Sequence, residues 1–215
     1  MSLVLYGYWR SGTSYRTRIA LNLKGLAYEQ APIDLRVGVQ RSDAFLALNP
    51  QGLAPALVTP DGVLTQSPAI LEWLEETTPE PPLLPRGARA RAEARAMAAL
   101  IACDIHPLNN LRVLKALKSD FGADQAQTDA WAGRWISAGF GALERLVAAH
   151  GGGWAYGDAP TLVDCHLVPQ VYSARRFNVD LTAFPRLLSV EARAAGHPAF
   201  AAAHPDRQPD ADPSP

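Results

Sequence analysis

Apolar and polar positions along the first eighty residues switch between a two-residue and a helical period. Leu3 to Tyr8 is a short apolar run and predicts a strand. A helix is predicted from Ser14 to Lys24, with Ile19, Leu21 and Leu23 among its apolar positions and Gly25 as its stop. Tyr28 to Asp34 alternates and predicts a second strand, and Ser42 to Leu48 a short helix ended by Asn49-Pro50. Gly52 to Val58 reads as a turn feeding a third strand. Asp61-Gly62 is a hairpin signal ahead of a fourth, Val63 to Thr65. Ser67-Pro68 opens the next helix, with Ser as cap, Pro at the first helical position, and Ile70, Leu71, Trp73 and Leu74 on one face. The order is βαβα followed by ββα. Pro55 has no N–H to give a ladder and belongs at the start of its strand. A cis Ala54-Pro55 bond would present the Ala54 backbone to an extended ligand.

The pattern changes after the proline-rich stretch Thr78 to Pro85. Ala88 to Lys118 carries helical spacing through Met97, Leu100, Ile101, Leu108, Leu111 and Leu114, and Pro107 predicts a kink inside it. Gln125 to His150 is a second long helix, closed by Gly151-Gly152-Gly153. Thr161 and Asp164 form a capping box that opens a third, running to about Phe177, and Pro185 to Ala195 a fourth. The predicted fold class is therefore an α/β domain followed by an all-α domain. Its parts are an α/β domain over 1–80, a linker over 81–87, a helical domain over 88–204, and a disordered Pro- and Asp-containing tail over 205–215.

Composition narrows the class. The net charge of -1 leaves no basic footprint for nucleic acid or anionic membrane. No apolar run approaches the roughly 18 residues of a bilayer span, and no leader pattern is visible. Two cysteines without a CxxC, Cys103 and Cys165, fit a reducing compartment such as the cytoplasm and argue against a redox dithiol. Both lie in apolar helical stretches and are expected to be buried and inert. The five histidines show no metal-ligand spacing, so no metal is expected. His150 and His166 are expected to be packed or solvated.

The stretch Tyr8-Trp9-Arg10-Ser11-Gly12-Thr13-Ser14-Tyr15-Arg16-Thr17-Arg18 turns a strand into a helix. A helix N-terminus offers unpaired N–H groups and a positive dipole end. Ser11, Thr13 and Ser14 add hydroxyls, Gly12 admits close approach, and Arg10 and Arg16 add positive charge. The place suits an anion, and a thiolate if a thiol ligand is brought to it.

Several stretches then carry a resemblance over nearly the whole chain. They are Trp9-Arg10-Ser11 to Arg18-Ile19-Ala20-Leu21, Ala47-Leu48-Asn49-Pro50, Gln66-Ser67-Pro68-Ala69-Ile70 and Asp104-Ile105-His106-Pro107-Leu108-Asn109-Asn110-Leu111. Val168-Pro169-Gln170-Val171, Ala174-Arg175-Arg176-Phe177 and Val179-Asp180-Leu181-Thr182 complete the set. In this the chain resembles the zeta class of cytosolic glutathione S-transferases, which contains maleylacetoacetate and maleylpyruvate isomerases. The family motif Ser-Ser-Cys-Ser reads Ser11-Gly12-Thr13-Ser14 here, so Thr13 stands where the family has cysteine and glutathione is left as the only thiol.

The resemblance implies a thioredoxin-like N-terminal domain, a helical glutathione-transferase domain and a homodimer. It implies glutathione as cofactor, held by Ser11, Gly12, Thr13, Ser14, Gln40, Ala54, Pro55, Gln66, Ser67, His106 and Asn110. It implies Ser11, Arg10, Thr13 and Ser14 around the reacting sulfur, with Ser11 nearest. Arg10, Arg112 and Arg176, with Arg175 as competitor for Arg176, would bind the carboxylates of a small dianionic substrate. The activity implied is glutathione-dependent cis–trans isomerisation of maleylpyruvate to fumarylpyruvate. Isomerisation of maleylacetoacetate, conjugation or dehalogenation of small haloacids, and a non-catalytic binding role are the alternatives.

Overall fold

The computed structural model of the protein describes residues 3–212. It forms two compact units, one built from the N-terminal 83 residues together with those from Ala195 on, the other from Leu84–Ala194.

The first unit holds strands β1 (Leu3–Gly7), β2 (Tyr28–Pro32), β3 (Ala56–Thr59) and β4 (Gly62–Thr65) in the order β2-β1-β3-β4. β1 runs parallel to β2 and antiparallel to β3, and β4 runs antiparallel to β3. Helix α1 (Gly12–Leu23) follows β1, the short α2 (Asp43–Leu48) precedes β3, and α3 (Ser67–Thr77) follows β4. Ile19, Ala20, Leu21, Leu57, Ile70 and Leu74 have no exposed surface, which makes this the unit's main core. A second cluster gathers Ile33, Phe45 and Ala56 with Tyr6, Leu35 and Leu48 packed against it. Lys24 closes α1 as a buried cation. Its Nζ donates to Glu75 Oε2 at 2.8 Å and to the Pro81 carbonyl at 2.8 Å, and Glu75 Oε2 also accepts from Leu83 N–H at 2.8 Å. A buried charge is tolerated only with such a full set of partners.

Two elements of this unit depart from expectation. Helix α9 (Pro198–Ala203) packs against α1, so the helical domain expected over 88–204 ends at Ala194. The segment expected as a disordered tail is built in over 205–212. It makes a 3-10 turn at Pro205–Arg207 and buries Gln208, while 213–215 lie outside the described residues. Polar side chains supply the order: Gln208 Nε2 donates to the Ala202 and His204 carbonyls, and Gln208 Oε1 accepts from Gln30.

In the second unit, α4 (Ala88–Ala99) passes into a wide π-helical turn at Leu100–Ile105, a 3-10 turn at His106–Asn109 and then α5 (Leu111–Phe121). The kink predicted at Pro107 is this whole segment. Pro107 has no N–H for the Cys103 carbonyl and cannot continue the α register. The wide turn packs Ile105 over Gly139, where any Cβ would fall inside the Ile105 side chain. Helix α6 (Gln125–His150) opens with a capping box between Asp124 and Gln127. Helix α7 (Leu162–Arg176) is the unit's centre, with eleven of its fifteen residues buried, and α8 is Pro185–Ala195. The box expected at its start is present: Asp164 accepts from Thr161 N–H at 2.8 Å, from the Thr161 hydroxyl at 2.9 Å and from Ala155 N–H at 2.8 Å. Burial pushes the Asp164 carboxyl up to about 6 against the pull of these donors, so it is still ionised at neutral pH.

Cys165 is buried, whereas Cys103 is exposed, which corrects the expectation of two buried thiols; both are free. Cys103 sits in the wide π turn, where helical spacing no longer tells which side is buried. His166 is packed against the Leu162 carbonyl, and His150 is stacked on Tyr156. Among the described residues no helix is long and apolar enough to cross a membrane, and no His, Cys, Asp and Glu group is arranged to hold a metal ion.

Candidate active site

Strand directions bring three chain segments to one edge of the sheet. β1 and β4 both run antiparallel to β3, so they end at the edge where β3 begins. Tyr6, Ala56 and Thr65 lie in one register row there. The start of α1, the Ala54-Pro55 entry to β3 and the start of α3 therefore adjoin. Two strand spacings of about 4.8 Å separate β1 from β4, so the edge is roughly 10 Å wide.

At the α1 end, Ser11 is the N-cap in extended conformation, and its Oγ accepts from Ser14 N–H at 3.3 Å. Ser11 Oγ and Thr13 Oγ1 are 2.9 Å apart, and Thr13 Oγ1 donates to the Ala54 carbonyl at 3.0 Å. A hydroxyl has one proton. Thr13 gives its proton to Ala54, so the proton between the two hydroxyls belongs to Ser11. Ser14 is fully buried, and its Oγ accepts from Tyr8 N–H at 3.3 Å. A Cβ on Gly7 would stand 2.9 Å from that oxygen, so this residue is small where the helix start approaches the strand. Arg10 is half-buried over the Trp9 ring, 5.2 Å from its centroid. Arg16 and Arg18 are each 1% exposed, and Arg18 serves the backbone by donating to the Trp9 and Ala203 carbonyls.

The Ala54-Pro55 bond is cis. At α3 the cap position falls to Gln66, not Ser67. Gln66 has φ 67 and its side chain caps nothing, while Ser67 is the first helical residue and Pro68 the second. The left-handed conformation of Gln66 sends its amide to Gln51, at 2.6 Å, and turns Ser67 inward. Ser67 is 2% exposed, and its Oγ has no hydrogen-bond partner. Neither α1 nor α3 carries an acid in its first turn, so neither positive end is compensated. Gln40 lies in the 3-10 turn Val39–Arg41 with its Oε1 buried and unpartnered.

The remaining candidates lie in the second unit. His106 opens the 3-10 turn after the wide π turn, and Trp131 of α6 fixes that turn by donating to the Leu108 carbonyl at 2.8 Å. Asn110 caps α5, accepting from Arg112 N–H at 3.1 Å, and Arg112 is exposed in that helix's first turn. Arg176 ends α7 and is exposed. Arg175 is committed to Glu191 of α8, with Nε donating at 3.0 Å.

Residues 5–82 match the model of the glutathione S-transferase N-terminal domain. The chain is 56% identical to a maleylpyruvate isomerase of a Ralstonia species, over 96% of this chain and 98% of that protein. Among solved structures it is similar to a holo maleylpyruvate isomerase described as a bacterial zeta-class enzyme. The TM-score there is 0.96 at 55% identity, covering 97% of this chain and all (100%) of that one. It is also similar to a maleylacetoacetate isomerase from Anaeromyxobacter dehalogenans solved with dicarboxyethyl glutathione and citrate in the active site. That likeness has a TM-score of 0.88 at 45% identity, covering 99% of this chain and 94% of the other. A thioredoxin-like sheet unit and a helical unit, the hydroxyl-bearing turn and relatives matched along almost their full length agree: the chain belongs to the zeta class of the glutathione S-transferase family.

Proposed function

We propose that the protein is a glutathione-dependent cis–trans isomerase that converts maleylpyruvate to fumarylpyruvate. The observation that carries the reading is the hydroxyl cluster of Ser11 and Thr13 at an uncompensated helix start, in a chain 56% identical to a maleylpyruvate isomerase.

The residues present fit glutathione. The edge is about 10 Å wide, the span of an extended tripeptide. Ser67 Oγ, buried and unpartnered at the start of α3, suits the γ-glutamyl carboxylate, with Gln66 beside it. The Ala54 backbone ahead of cis Pro55 suits the cysteinyl peptide group, and the unpartnered Gln40 Oε1 suits a ligand N–H. His106 and Asn110 are proposed for the glycyl end or the second ligand. When bound, glutathione supplies a thiolate whose addition to the double bond allows rotation before it is eliminated.

The protein's part is to hold that sulfur ionised and to neutralise the substrate. An unperturbed thiol has a pKa of roughly 8.5, so a donor aimed at sulfur and a positive helix end both lower it. Ser11 is that donor once its proton turns from Thr13, and Gly12 and Thr13 supply the N–H groups of the first turn. Thr13 keeps Ser11 Oγ in place and holds the Ala54 carbonyl. Arg10, Arg112 and Arg176 bind the substrate carboxylates and the charge that develops on the neighbouring carbonyl. Three candidate arginines favour a dianion over a haloacid, and the complete hydroxyl set favours an enzyme over a binding relic.

The same reading places the enzyme in the cytoplasm as a homodimer. The maleylacetoacetate isomerase likeness supports the longer substrate as the second reading. The test is loss of maleylpyruvate absorbance with and without glutathione, with maleylacetoacetate run in parallel. Strictly glutathione-dependent loss, faster for maleylpyruvate, is the expected result; no turnover of either while glutathione still binds would overturn the proposal.

A further inference from the structure

We propose that the end of the chain, Pro205 to Asp212, is a strap that holds the Ser11-bearing turn, with Asp210 as a positioning residue for the hydroxyl that faces the thiol. The inference rests on the assignment of Ser11 made above.

Ser11 closes a turn that begins at Tyr8: its N–H donates to the Tyr8 carbonyl at 3.0 Å. The direction of the Ser11 hydroxyl therefore follows the plane of this turn. Trp9, inside the turn, has both of its backbone groups held by residues far away in sequence. Its N–H donates to Asp210 Oδ2 at 2.9 Å, and its carbonyl accepts from Arg18 Nη2 at 2.9 Å. Arg18 Nε donates in turn to the Ala203 carbonyl at 3.1 Å, so one guanidinium joins the turn to the end of α9. Trp9 is 5% and Arg18 1% exposed. A hydrogen bond at such shielded groups is stronger than at the surface.

The strap is itself anchored on both sides of Asp210. Before it, Gln208 spends both amide protons on the Ala202 and His204 carbonyls and its oxygen on Gln30. After it, Asp212 pairs with Arg36 at 2.7 Å. All these partners belong to the first unit. Asp210 is thus carried on a fixed segment and reaches the backbone two residues before Ser11, which simple packing of a chain end does not require.

Two variants separate positioning from mere stability. Asp210→Asn keeps an oxygen that accepts from Trp9 N–H; Asp210→Ala removes it. Five quantities are measured: hydrogen exchange at the Trp9 amide in the free protein, glutathione affinity by calorimetry, kcat and KM for maleylpyruvate, and the pH profile of kcat. Asp210→Ala is expected to speed Trp9 exchange, lower kcat about tenfold and move the acid limb of the profile upward, with substrate KM within about twofold. Asp210→Asn is expected to stay within about twofold of the parent in kcat. Unchanged exchange and kcat in Asp210→Ala, or equal damage in Asp210→Asn, overturns the proposal. If Asp210→Ala does not fold, truncation after Gln208 keeps the Gln208 anchor, though not the Asp212 pair, and is held to the same expectations. Ser11→Ala run alongside separates the two readings. A loss there with none in Asp210→Ala sinks the strap alone, and no loss in Ser11→Ala sinks the assignment beneath it.

Discussion

Replacing Asp164 by Asn should change how stability depends on pH, in a direction opposite to that of most carboxylates. Asp164 is wholly buried, and its carboxyl is raised to about 6 from an ordinary 3.8. Between those values the folded protein holds a proton that the unfolded chain has released. Stability then falls as pH rises, and the contribution is fully present only below the unfolded value. The full difference of about two units corresponds to about 3 kcal/mol, of which about 2 kcal/mol falls between pH 4.5 and 7.5. Asn cannot titrate, so its own stability lacks this slope. It also turns an NH₂ toward one of the three donors at the box, Ala155 N–H or the Thr161 pair, at a fixed cost of about 1–3 kcal/mol. Denaturant titrations followed by tryptophan fluorescence at four pH values in that window give the difference between parent and variant. The parent's advantage should shrink by about 2 kcal/mol from pH 4.5 to 7.5. A flat difference, or one that grows with pH, would show that the three donors outweigh burial and that the reasoning about Asp164 is wrong.

Three further variants test the site and the fold. Ser11→Ala should lower kcat by about 100-fold, the scale of losing one donor to a developing charge, and lower stability by about 1 kcal/mol through the lost cap of α1; unaltered turnover would remove Ser11 from the chemistry. Arg176→Ala should raise the KM for maleylpyruvate at least about tenfold, as expected for one charge-assisted hydrogen bond, while calorimetric glutathione affinity holds. Collapse of glutathione binding instead would reassign that arginine. Gly139→Ala drives a methyl into the fully buried Ile105. Overpacking of about 1–3 kcal/mol outweighs the roughly 1 kcal/mol of helix propensity gained, so the melting temperature should fall, and Ile105→Val in the same chain should recover part of it.

The sheet unit was legible because each of its elements is local: periodicity, Gly25, Asp61-Gly62 and the prolines mark all four strands and three helices to within a few residues. The two boxes at Asp124 and Thr161 are local too, although only the second was read from the sequence. What escaped depends on distant partners. Nothing near Gln208 or Asp210 tells that Gln30 and Trp9 await them, so a Pro- and Asp-containing end reads as disorder. Arg18 looks like another cation in an anion site, yet its guanidinium is consumed by two carbonyls. Ser67 reads as a helix cap until the left-handed Gln66 takes that position and leaves the serine hydroxyl buried and unpartnered. The site's chemistry was visible as a motif, while the order of proton donation from Ser11 to Thr13 to Ala54 depends on a carbonyl 41 residues away from Thr13.

The discontinuity of the first unit bears on how the protein is made. A ribosome delivers the sheet and its three helices first, then the whole of Leu84–Ala194, and only at the end α9 and the residues that follow it. The helical unit is one uninterrupted stretch and is free to fold while synthesis continues. The sheet unit lacks α9 against α1 and a partner for Trp9 N–H until Pro198 to Asp210 have been made. A product that stops before Asp210 should therefore present an unclosed Ser11 turn to proteases and chaperones.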